Sequence, residues 1–167
     1  MDSRRPLYCL DTGPLLDVLL VRFGKKSSKD HLVSAAAKHL NSPYSVEGFE
    51  TFLASSLALL TTLGVLVEID RHVQAAGFKT DRLRRFRAFC RDQLALLKVE
   101  VCSAPYFELD RELYEECGPT DASIAFVANA RQATIVGVDQ KLRNACLRRS
   151  IRFKDIHEVV AEFGGPA

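Results

Sequence analysis

The 167-residue sequence contains no apolar run approaching the roughly 18 residues that a helix needs to span a bilayer. Its opening, Met1-Asp2-Ser3-Arg4-Arg5-Pro6, also lacks the long apolar stretch of a secretory signal. These two absences predict a soluble, cytoplasmic chain without a membrane partner. Cysteine occurs five times, at Cys9, Cys90, Cys102, Cys117 and Cys146, an odd number at wide spacing with no C-x-x-C pair. A disulfide framework and a zinc–thiolate site are therefore not expected, and the thiols read as small apolar fillers. No G-x-S-x-G is present for a serine hydrolase, and neither Walker A nor G-x-G-x-x-G for a nucleotide. The Asp-x-Asp of a haloacid-dehalogenase-like phosphatase does not follow the first apolar run. His31, His39 and His157 form no general-base constellation, and no internal repeat or low-complexity tract is visible.

What is present suits one well-buried core. At 47% hydrophobic and 26% charged residues, a chain of this length is too short for two comfortable domains, so residues 1–167 are expected to form one. The net charge of +2 hides a strong polarity. Lys79 to Arg91 carries a local +5, Lys141 to Lys154 carries +6 with no acid, and the remainder is left with −9. Basic ridges beside acidic ground suit a protein that holds a polyanion around a central cation.

The organising stretch is Leu7-Tyr8-Cys9-Leu10-Asp11-Thr12-Gly13-Pro14, an apolar strand that ends abruptly in a carboxylate. A helix is expected from Pro14 to Phe23, a polar break from Gly24 to Asp30, and then a helical elaboration covering about residues 24–54, with helices at His31 to Leu40 and about Ser45 to Ala54. Strands follow at Leu57 to Thr62, Val99 to Ser103, Thr134 to Val138 and Ile151 to Phe153. Between them fall helices at Leu63 to Gln74, Lys79 to Leu97, Phe107 to Cys117, Thr120 to Ala130 with Thr120 as N-cap, and Gln140 to Arg149. Apolar strands alternating with helices predict an α/β fold, a three-layer α/β/α sandwich around a central parallel sheet.

Four acids fall at the edges of these apolar runs: Asp11 and Asp139 after strands, Glu68 and Asp121 in the first or second turns of helices that begin after strands. Each alone has a structural explanation as a strand terminator, a solvated side chain or a helix cap. In a parallel sheet, however, all four positions belong to the same edge. Carboxylates brought together there repel one another until a cation neutralises them, and oxygen donors without histidine or thiolate favour Mg2+ or Mn2+. Such an ion can activate water and clamp a phosphodiester. Thr12 is placed to hydrogen-bond a neighbouring carboxylate or a phosphate, or else its own turn. Arg82, Arg85, Lys141 and Arg143 are candidate RNA phosphate contacts, and few aromatics accompany the basic clusters, so base stacking is not expected from them. Glu68 and His72, four apart on one helix, lack the second histidine pair of a transition-metal site.

Leu10-Asp11-Thr12-Gly13-Pro14-Leu15-Leu16, Leu60-Thr61-Thr62 leading to Val65-Leu66-Val67-Glu68-Ile69, Thr120-Asp121-Ala122-Ser123 and Ile135-Val136-Gly137-Val138-Asp139 together resemble, in order, the motifs of PIN domains. The likeness runs from about residue 7 to 153. It implies a PIN-like sandwich in which Asp11, Glu68, Asp121 and Asp139 hold Mg2+ or Mn2+ for RNA hydrolysis. It further implies, as in the VapC-type toxins of toxin–antitoxin systems, a cognate antitoxin protein over the acidic pocket, and homodimers. An apolar face within residues 31–60 is a candidate for that dimer contact, although core packing explains the same pattern. Two departures stand out: a longer region at 24–54, and Gln140 where a charged residue often follows the last acid. The rival reading is an inactive PIN-like module that binds protein or RNA.

Overall fold

A computed structural model describes residues 6–27, 46–55 and 58–163. The helix expected at His31 to Leu40, with His31 and His39, lies outside the described residues. Five parallel strands form one sheet: β1 (Leu7–Leu10), β2 (Ala58–Thr62), β3 (Glu100–Cys102), β4 (Thr134–Gly137) and β5 (Phe153–Asp155), in the order β3-β2-β1-β4-β5. Among the described residues there are eight helices: α1 (Thr12–Ser27), α2 (Val46–Ala54), α3 (Leu63–Ala75), α4 (Thr80–Leu96), α5 (Arg111–Cys117), α6 (Pro119–Arg131), α7 (Gln140–Arg148) and α8 (Ile156–Phe163). Helices cover the sheet in a three-layer α/β/α arrangement, with α6 packed across β1, β2 and β4, and α1 against β4, α2, α3 and α4.

The strand order determines where a ligand fits. Connections from β1 run outward to β2 and β3 on one side and to β4 and β5 on the other, so the winding reverses between β1 and β4. At such a switch point the crossovers leave in opposite directions and open a crevice beyond the carboxyl ends of the strands. Asp11 follows β1 there, its N–H bonded to Val136 O at 3.0 Å. Leu10 is in register with Val136, so the ends of β1 and β4 lie side by side.

Several element ends differ from the sequence expectation for local reasons. Helix α1 starts at Thr12, because Asp11 O accepts the helical bond from Leu15 N at 3.3 Å and Pro14, in the first turn, has no N–H to satisfy. It then runs through Gly24 to Ser27, since one glycine lowers helix propensity without ending a helix already packed along its length. The expected Phe107 to Cys117 helix divides into a 3-10 turn at Tyr106–Glu108 and α5, where the Asp110 side chain accepts from Leu113 N. Thr120 is not the N-cap of α6. Gly118 occupies that place, with Pro119 at the first helical position. Gly118 has φ +94, a conformation costly for any residue with a Cβ, and it lets α5 turn into α6 without a linker.

The core has two aromatic centres. Phe23, Phe78, Phe86 and Phe89 meet mostly edge-to-face at 5.3–6.1 Å and join α1 to α4. On the other flank Phe52 contacts Tyr8, Phe49 and Phe163, tying α2 to β1 and α8. Within the described part of residues 31–60, Phe49, Phe52 and Leu53 are 0–4% exposed and belong to the core. All five cysteines are free, and burial pushes the Cys9, Cys90 and Cys146 thiols up to about 12, as inert fillers. Among the described residues no helix is long and apolar enough to cross a membrane.

Candidate active site

The switch-point crevice is a cleft of about 610 Å³ whose walls include Asp11, Glu68, Asp121 and Asp139, together with Thr12, Asp17 and His72. Each acid arrives from a different element. Asp11 ends β1 and is 5% exposed, with Oδ1 accepting the Thr12 N–H at 2.6 Å. Glu68 lies in the second turn of α3, a helix capped by Thr62, whose side chain accepts from Val65 N. Thr12 Oγ1 donates to Glu68 Oε2 at 2.7 Å, so the threonine beside one acid orients another 56 residues away. Asp121 sits in the first turn of α6, which Gly118 turns toward the sheet edge. Asp139 follows β4 and caps α7, its Oδ1 accepting from Lys141 N at 2.6 Å and Leu142 N at 2.9 Å.

The acids feel one another. Burial pushes the Asp11 carboxyl up to about 7, the Thr12 N–H opposes this, and Asp121, Glu68 and Asp139 add to the rise. Burial likewise carries Asp121 up to about 7, with repulsion from Asp139 and Glu68 behind it and Lys141 pulling the other way. This is the electrostatic state of carboxylates short of positive charge.

The donor set is hard oxygen throughout, which fits Mg2+ or Mn2+ in chemistry. The side chains do not, however, close a preformed cage: among the described residues no group of three or more His, Cys, Asp or Glu is gathered closely enough to hold an ion directly. An ion such as Mg2+, which keeps several waters and takes one or two carboxylates, matches this looser ring better than simultaneous contact with all four acids. His72 Nε2 stands 3.8 Å from Glu68 Oε1, on the open side of the cleft.

The basic candidates separate. Arg82 lies over the ring of Phe78 at 4.2 Å, and Phe78 is part of the cleft wall. The Arg82 pKa is lowered by partial burial and by the charge of Arg85 nearby, so these two cations adjoin at the rim. The charge of Lys141 reaches Asp121 and opposes the rise of its pKa. Arg143 instead binds Glu158 at 2.8 Å, and three more residues of its ridge are similarly engaged: Arg148 with Glu116, Arg149 with Asp110 and Glu112, Lys154 with Glu162. The local +6 is thus largely neutralised by acids distant in sequence. In the first cluster, Arg87 holds Asp70 through two bonds of 2.6 Å.

Two site features escaped the sequence reading. Asp17, 7% exposed on α1, lines the same cleft; a carboxylate inside the apolar run Leu15-Leu16-Asp17-Val18 was its signal. Gly137 is the other. A Cβ there would stand 2.9 Å from Asp11 Oδ2 and 3.0 Å from Phe153 Cζ, so only glycine leaves room for the buried carboxylate.

Fold and site together define a doubly wound parallel α/β protein with an acidic cleft at its switch point. No family model and no curated protein matches the chain by sequence. Solved structures do match in fold. A PilT N-terminus domain protein from the hyperthermophilic archaeon Sulfolobus solfataricus aligns over 96% of both chains at 11% identity, TM-score 0.54. PAE2754 from Pyrobaculum aerophilum aligns over 96% of this chain and 91% of its own at 16% identity, TM-score 0.56. VapBC2 from Rickettsia felis, solved bound to a DNA fragment from its promoter, aligns over 89% and 98% at 18% identity, TM-score 0.52. The chain has the PilT N-terminus, or PIN, domain fold.

Proposed function

We propose that this protein is a metal-dependent endoribonuclease of the PIN class, the toxin member of a toxin–antitoxin pair. The observation that carries the reading is the convergence of Asp11, Glu68, Asp121 and Asp139 on one cleft, with Asp11 and Asp121 pushed up to about 7 by burial and by the charge of their neighbouring acids. In this reading those four residues hold Mg2+ or Mn2+, some through water. A bound ion supplies Lewis-acid charge for the phosphodiester oxygens and favours a deprotonated water as nucleophile.

The chain's own residues do the rest. The Thr12 hydroxyl fixes the Glu68 carboxylate and its N–H fixes that of Asp11, so neither must reorganise when substrate enters. Arg82 and Arg85 at one rim and Lys141 at the other attract and align the RNA backbone without reading its sequence. Arg143, bound to Glu158, contributes less. An antitoxin segment would cover the same acidic cleft, bringing a basic side chain to the carboxylates in place of the ion.

The test is a titration of MgCl2 and MnCl2 followed by both thermal stability and cleavage of single-stranded RNA, comparing wild type with Asp11→Asn. Metal-dependent stabilisation and cutting, both weakened by the substitution, are expected. A wild type that responds to neither metal in either assay is instead a PIN-like binding module.

A further inference from the structure

The acidic cleft continues past its carboxylates. Glu68, Cys117 and Asp121 form a wall shared with a second groove of about 600 Å³, which crosses the carboxyl ends of β2 and β3. Exposed apolar side chains line this groove: Tyr106 is 69% exposed, Leu63 59% and Val67 53%. Tyr106 is nevertheless held in place. Its turn is closed by Glu108 N to Pro105 O at 3.0 Å and Leu109 N to Tyr106 O at 3.3 Å. Its ring meets that of Tyr114 edge-on, centroids 5.4 Å apart at 83°. Arg71, one helical turn from Glu68, supplies a cation to the same groove.

Two of the hydroxyls in the groove are already engaged. Thr62 Oγ1 and Ser123 Oγ lie 3.1 Å apart and bond each other, and Ser123 also donates to Thr120 O. The groove presents a ring face and a charge, with the side chains of Ser103 and Thr120 beside them. A purely apolar protein helix laid on this wall would bury Arg71, Glu68 and Asp121 without providing for their charges. A nucleotide brings a flat π surface to Tyr106 and an anion to Arg71, and its strand leads directly into the cleft.

We infer that this groove seats an unpaired RNA base adjoining the phosphate held at the carboxylates, with Tyr106 stacked on the base and Arg71 on the next phosphate. The assignment rests on the nuclease reading of the cleft. It makes the substrate single-stranded at that point, because a base inside a duplex has no free face to offer. The stacking platform comes from the Tyr106 turn, outside both basic clusters, which the sequence pattern did not connect with the acids.

The test measures binding of a labelled short single-stranded RNA by fluorescence anisotropy in Mg2+, with full-length protein carrying Asp11→Asn so that the strand stays whole. Adding Tyr106→Ala is expected to weaken binding roughly tenfold, while Tyr106→Phe retains it. Abasic substitution, moved along the strand, should weaken the parent at one or two positions and leave Tyr106→Ala unaffected there. Fully paired RNA should show no dependence on Tyr106. Equal binding by the parent and Tyr106→Ala, or an abasic penalty that persists in Tyr106→Ala, overturns the assignment. Equal RNA binding combined with reduced self-association of Tyr106→Ala in sedimentation also overturns it, making the groove a contact between copies. Cleavage by otherwise wild-type protein separates the two readings: a kcat/KM insensitive to Tyr106→Ala but abolished by Asp11→Asn removes the base site and leaves the nuclease.

Discussion

Asp11→Asn should stabilise the metal-free protein at the same time as it disables the site. The carboxyl is buried, and its pKa rises from an ordinary 3.8 to about 7. Below pH 4 it is neutral in both folded and unfolded chains and contributes no pH dependence. Between about 4 and 7 the folded chain retains a proton that the unfolded chain has lost, so stability falls as pH rises through this window. Above 7 the full cost of holding the charge is present. At about 1.4 kcal/mol per pH unit the ceiling is about 4 kcal/mol. Water enters one side of the cleft, so about 1–3 kcal/mol is expected, or a Tm increase of about 2–12 °C for a chain of this size. Asparagine is close to isosteric, and its carbonyl oxygen can still accept the Thr12 N–H. Calorimetry in EDTA should find the two proteins equal near pH 4 and the variant more stable at pH 8. Excess Mg2+ at pH 8 should then raise the wild-type Tm more than that of the variant. A variant that is less stable at pH 8, or a difference that does not vary with pH, would refute the claim that Asp11 carries an uncompensated charge.

Thr12→Val removes the hydroxyl that donates to Glu68 Oε2; it should cost about 1–2 kcal/mol in urea unfolding and lower kcat for RNA cleavage more than it raises KM. Gly137→Ala drives a methyl against Asp11 Oδ2 and the Phe153 ring, with an expected loss of about 1–3 kcal/mol seen as a lower Tm. Lys141→Ala should reduce the slope of log binding constant against log salt by about 1 for single-stranded RNA, because one phosphate contact is lost. Arg143→Ala, whose guanidinium is already bound to Glu158, should change that slope less.

The sheet was legible because its signals are local. Short apolar runs and helical periodicities mark β1, β2, β4, α3, α4 and α7 within a residue or two of where they lie, and the alternation of the two implies parallel pairing. Asp11 and Asp139 were legible as carboxylates at strand ends for the same reason, and Glu68 and Asp121 from their places in the second and first turns of helices. Boundaries that depend on competing caps were less so: Thr120 is a better side-chain cap than glycine, yet Gly118 holds the position because only it tolerates the φ that joins α5 to α6.

The sequence by itself determined which residues form strands and helices, and which acids stand at their ends, since backbone propensity and burial act over a few neighbouring positions. The tertiary structure decided everything that depends on partners distant along the chain. It neutralised most of the Lys141 to Lys154 ridge with Asp110, Glu112, Glu116, Glu158 and Glu162. It also turned Phe49, Phe52 and Leu53 of α2 inward, brought Asp17 to the cleft and Gly137 against the Asp11 carboxylate, and set the Tyr106 turn on the same groove as Glu68 and Asp121. Coulomb interaction and van der Waals contact act through space, and only the folded chain specifies those distances.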